Sequence, residues 1–154
     1  MIYKAIYVVF TLALSQVAVA ESADIKDANV MPNSKAAEGA AVYVIQPLDG
    51  QVLDAKKPIE VSFGLRGMGV APAGVVVEKT GHHHLLIDQQ ELPDLTMPLP
   101  ASAQVIHFGG GQTQTEIRLA PGSHTLQLVL ANQYHIPHNP PLTVSYTHLR
   151  AHET

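Results

Sequence analysis

Nine histidines and no cysteine stand in this chain. Three of the histidines are consecutive, His82-His83-His84, and run directly into Leu85-Leu86-Ile87-Asp88. Four more, His107, His124, His135 and His138, follow in short Gly- and Pro-rich contexts. Neutral imidazole is the commonest metal nitrogen ligand in proteins, and it titrates near neutral pH. The chemistry on offer is therefore transition-metal ligation or proton exchange. Thiolate ligation is excluded by composition.

Spacing narrows the set. His82 and His84 are two apart, so on a strand both project from one face. His107, His135 and His138 are the companions that could bring the site to three or four ligands. A His-rich, Cys-free set with the Met68 thioether nearby suits copper or zinc better than magnesium or calcium. The five candidate ligands are His82, His84, His107, His135 and His138. No HExxH pattern marks a metalloprotease helix. His83 shares a face with Leu85 and Ile87 and reads as a structural residue hydrogen-bonded to backbone. His124 follows the Ala120-Pro121-Gly122-Ser123 turn and reads as a ring that pins a corner. The same histidines are also consistent with a purely structural hydrogen-bonded network.

Other chemistry finds little support. There is no GxSxG, Ser62 lies within a regular strand, and Ser123 beside His124 has no obvious orienting acid. Asp88 falls on the His82/His84 face but at the far end of that strand. Gly109-Gly110-Gly111 is followed by Gln112-Thr113, so it is a turn and not a phosphate loop. The formal net charge of −4 argues against nucleic acid or anionic membrane as the partner.

The elements that must position these residues are strands. Ile59, Val61, Phe63 and Leu65 alternate with Glu60, Ser62 and Gly64, the period of a half-buried strand. Similar runs cover Ala41 to Gln46, His83 to Ile87, Gln104 to Phe108, Thr115 to Leu119 and His124 to Leu130; Val75-Val76-Val77 could add a short one. Gly67 to Gly74, Glu91 to Pro100 and Ala131 to Pro141 are connections. No segment keeps a helical period. About seven short strands in about 100 residues predict an all-β, immunoglobulin-like antiparallel sandwich. If successive strands alternate in direction, His82, His83, His84, His107, His135 and His138 converge on one end with Met68, and His124 lies at the other. A full strand at Val75 to Val77 would change that parity.

The series GHHHLLID, IHFGGGQTQTEIRLAPGSHTLQLVLA and HIPHNPP resembles a bacterial secreted family known only as a domain of unknown function. The resemblance runs from about Pro47 to Leu142. It implies a periplasmic or secreted all-β domain and implies no activity. Where similar sequences tend to carry an acid, this chain has Asn132.

The two ends read differently from the middle. Met1 to Lys4 is a short positive segment, Ala5 to Val17 is apolar, and Ala18-Val19-Ala20 is a small-x-small cleavage signal. Residues 1–20 are expected to be a secretory signal peptide, and residues 21–40 a polar flexible leader. The sandwich domain is expected over 41–143. Residues 144–154 resemble a translated sequencing adapter and are read as a non-native tail, so His148 and His152 are left out of the candidate site. Leu142, Val144 and Tyr146 nonetheless alternate as a strand would. The expected protein is a periplasmic or secreted binding module with a His-rich end, for copper or zinc. The alternatives are an envelope interaction domain with structural histidines and a metal-dependent enzyme. Several imidazoles at one end could also sense pH.

Overall fold

The computed structural model describes residues 34–144 and 147–153. The expected signal peptide and most of the leader lie outside them. Among the described residues there is no helix, and so none long and apolar enough to cross a membrane. Nine strands follow one another: β1 Ala41–Gln46, β2 Val52–Asp54, β3 Ile59–Arg66, β4 Gly69–Val70, β5 Thr80–Ile87, β6 Val105–His107, β7 Gln114–Ile117, β8 Gly122–Ala131 and β9 Thr147–His152.

They form two packed sheets, a β-sandwich. One is antiparallel, in the order β1-β3-β7. The other runs β2-β9-β8-β5, and the far side of β5 is shared by β4 and β6. The alternation in Ile59 to Leu65 is realised in β3: Ile59, Val61 and Phe63 are buried, and Glu60 is exposed. From the other sheet Leu85, Leu126, Leu128 and Leu130 meet them in one core. Burying each such side chain contributes about 1.5–3 kcal/mol. Tyr43 lies directly across from Gly64, and a Cβ there would sit 2.5 Å from its ring, so the glycine leaves room for the aromatic.

β5 departs from the half-buried expectation, because both of its faces are covered. Its Leu85 side belongs to the inter-sheet core. Its Leu86 side packs with Leu99, Val105, Val129 and Ala131 in a second core, and Leu92 and Leu95 close over it. The Pro-rich connection between β5 and β6 is therefore a lid on the sheet's outer face. A strand buried on both faces can carry apolar residues continuously, and His82 to Leu86 are all buried.

Three local expectations change. Val75, Val76 and Val77 are exposed and outside any strand, so the parity argument keeps its count. Gly69–Val70 is not pure loop: it pairs in parallel with Thr80 and Gly81. In the tail a strand is formed by Thr147–His152, whereas Leu142 and Val144 stand outside any strand and Tyr146 lies outside the described residues. The strand is antiparallel to β8 and parallel to β2, with Leu149 and Ala151 buried.

Candidate metal centre

The site starts from β5. His82 and His84 are two residues apart, so both rings leave the strand on its outer face, opposite Ala131 and Val129 of β8. Their ring centroids are 4.9 Å apart. On the other edge, β6 places His107 directly across from His84. Those rings stack at 5.1 Å and 30°. The His107 ring lies over the backbone of Gly109. A Cβ at Gly109 would come within 2.8 Å of His107 Nε2 and closer still to its Cε1.

The fourth ring comes from the turn after β8, and Asn132 builds that turn. Its buried Oδ1 accepts from the backbone N–H groups of Tyr134 (2.9 Å) and Ile136 (3.1 Å). Its own backbone N–H donates to the Ile136 carbonyl, and its carbonyl accepts from His135 N–H. Its Nδ2 donates to Ser34 Oγ at 3.1 Å. A short polar side chain that satisfies neighbouring backbone groups is the ordinary stabiliser of such turns. Asn132 thus fills a capping role at the position where an acid was expected in similar sequences. The turn holds His135 at φ 65°, and the Leu99 N–H ties its carbonyl to the lid at 2.9 Å.

The four rings meet. His107 and His135 have centroids 4.6 Å apart, and His82 and His135 5.0 Å. His82 Nε2 and His135 Nδ1 are 3.1 Å apart, a hydrogen bond in which one ring donates and the other accepts. One ligand atom from each of His82, His84, His107 and His135 lies within 4.8 Å of all the others. In a tetrahedral site with metal–nitrogen bonds of about 2.0–2.1 Å the nitrogens are about 3.3 Å apart. The His82–His135 pair stands close to that spacing.

Electrostatics disfavour the charged form of three of these rings. Burial, then the neighbouring His135 and His107, pull His82 from the usual 6.5 down to about 4. Burial, then His82, His107 and His135, take His84 to about 3. Burial and His135 also lower His107. Neutral imidazole is the form that ligates a metal. No carboxylate belongs to the group.

The other sequence candidates are placed elsewhere. His138 is buried but not one of the four; its Nε2 lies 2.9 Å from where a Cβ on Gly81 would be, and burial lowers its pKa. His83 faces the inter-sheet core as expected, with Phe63 at a centroid distance of 4.8 Å. Burial lowers its pKa to about 4, opposed by the Gly64 backbone beside it. Met68 packs against the same core, on the His83 side of β5.

His124 does have an orienting acid, contrary to the sequence reading. Its Nδ1 is 2.7 Å from Asp88 Oδ2, and its Nε2 donates to the Ala120 carbonyl at 2.8 Å. Asp88 Oδ1 also accepts from Thr125 N–H at 2.8 Å. Asp88 has φ 54°, which swings its side chain off the His82/His84 face. With Nε2 committed to a carbonyl, His124 pins a corner and is not a base for Ser123. His148, in the tail, lies 3.3 Å from Asp49, with both side chains exposed.

A family model described as a domain of unknown function, DUF4399, matches residues 61–149. The chain belongs to the DUF4399 family. The matched span holds most of β3, all of β4 through β8 and all four clustered histidines. Neither the curated proteins nor the solved structures return a match.

Proposed function

We propose that this DUF4399 domain is a periplasmic or secreted binding module that holds a transition-metal ion, copper or zinc, on His82, His84, His107 and His135. The observation that carries the reading is the convergence of four ring nitrogens within 4.8 Å with no acid among them. An all-imidazole set suits copper and zinc, whereas magnesium and calcium take oxygen donors. Because three of the rings are held neutral by burial and by each other, the metal meets little competition from protons near pH 7. The compartment is supported by the order of charge, apolar run and small residues in Met1 to Ala20.

One contact favours a second reading, an envelope interaction domain with structural histidines. The His82–His135 hydrogen bond could itself hold the turn to the sheet. Against it, that bond joins two of the rings only, whereas all four gather within 4.8 Å.

Titration of the purified protein with Zn(II) and with Cu(II), followed by metal analysis after desalting, separates the two. The metal reading expects one ion per chain, lost in the His82→Ala/His84→Ala variant. Uptake that is absent, or unchanged by the double substitution, leaves the structural reading standing.

A further inference from the structure

The four rings are held very differently. His82 and His84 are 0 % and 2 % exposed on a strand covered on both faces. His135 is half-buried and fixed by the Asn132 turn. His107 is exposed and ends a three-residue strand that pairs only with β5. The backbone beyond it is tied down, by Phe108 N–H to the His83 carbonyl and by Gly111 N–H to the Phe108 carbonyl. Its ring has no hydrogen bond to any described residue. The ring rests on Gly109, where the missing side chain leaves the space that it occupies.

We propose, resting on the metal reading above, that His107 is the exchangeable ligand. Ions enter and leave the centre on its side, and His82, His84 and His135 retain them. In exchange, the bond from the metal to the His107 nitrogen breaks as a bond to an acceptor's nitrogen or sulfur donor forms. The His107 ring leaves as neutral imidazole, and no electron changes hands. The partner is thus an acceptor of metal that carries such donors and approaches the open side of β6. Gly109 is a positioning residue: it lets the fourth ring lie over the centre without fixing it there.

The test is metal release from the Zn(II)-loaded protein into an excess of chromogenic chelator, for the native chain and for His107→Ala, Gly109→Ala and His84→Ala. Circular dichroism of each variant checks that it is folded. His107→Ala should still take up one ion per chain and release it at least about tenfold faster, since even damage to a metal's outer shell costs about 10–100-fold in affinity. Gly109→Ala should move in the same direction by less, because its Cβ pushes the ring away without deleting it. His84→Ala should hold no ion at the concentrations that fill His107→Ala. The proposal is overturned if His107→Ala loses the ion as completely as His84→Ala, or releases it at the native rate. Release from Gly109→Ala at the native rate would remove Gly109 from the account. A native protein that takes up no Zn(II) overturns the centre itself, which is a different failure from either of these.

Discussion

At one end of β5 imidazoles face imidazoles; at the other, a single imidazole faces an acid and a carbonyl. His82 and His84 lie beside each other, His107 and His135, and burial leaves them neutral. His124 is also partly withdrawn from water, which opposes its charge. The Asp88 carboxylate and the Ala120 carbonyl outweigh that burial and raise its pKa. Acceptors at both ring nitrogens favour a proton on each, so this site stabilises the charged form of the ring. His82 and His84 are left in the neutral form, the one that can ligate a metal. The two ends use the same side chain on the same sheet, and what surrounds the ring decides whether it binds or braces.

Damage to the shared beam gives the largest effect. Leu85 is fully buried midway between the two ends. Leu85→Ala should lower stability by about 2–5 kcal/mol, measured by urea denaturation, and should weaken metal uptake and the His124 contact together. If only one end responds, the two ends are not mechanically joined through β5.

Asn132→Ala sharpens the difference between strand-held and loop-held rings. It removes a buried acceptor of two backbone N–H groups and should cost about 1–3 kcal/mol. Metal affinity should fall through His135 while the Asp88–His124 end keeps its pH behaviour. An affinity unchanged in this variant would mean that His135 does not depend on the turn.

The two ends should also give opposite slopes of stability with pH in the metal-free protein. His82 and His84 titrate well below the usual 6.5, so the unfolded chain binds more protons than the folded one between that value and about 4. Stability should therefore fall as pH falls through this window. His124 is shifted the other way. Its contribution is complete below pH 6.5 and is lost as pH rises through its raised pKa. Asp88→Asn keeps an oxygen for the Thr125 N–H and removes the charge, so it should flatten the alkaline limb and leave the acid limb alone. Denaturation midpoints across pH 4–9 measure both; an unchanged alkaline limb in this variant would contradict the cation.

How far the sequence shows this arrangement depends on how local each cause is. The two-residue period in Ile59 to Leu65 exposes the strand and its buried face, and the same period separates His83 from His82 and His84. Strand alternation was enough to bring His107 and His135 to that end. The reading loses the chain where conformation is set by single residues or distant contacts. Asp88 belongs by parity to the His82/His84 face, but its positive φ turns it toward His124. His135 and His138 are equivalent in a Pro-rich stretch until the Asn132 turn sends one ring into the cluster and leaves the other beside Gly81. Leu92, Leu95 and Leu99 stand three and four apart, but Pro93, Pro98 and Pro100 break any helix there, so the lid over β5 is not visible before the chain is folded. The parallel pairing of β2 with β9 joins segments about a hundred residues apart and has no local signal.

The central claim is that four particular rings meet at one ion and three buried or braced rings do not. Imidazole nitrogen chemical shifts of the 15N-labelled protein, recorded with and without one equivalent of Zn(II), address it most directly. The account predicts large shifts at His82, His84, His107 and His135, with the rings of His83, His124 and His138 changing little. Shifts centred on His138 or His124, or no shift in the His82/His84 pair, would contradict it.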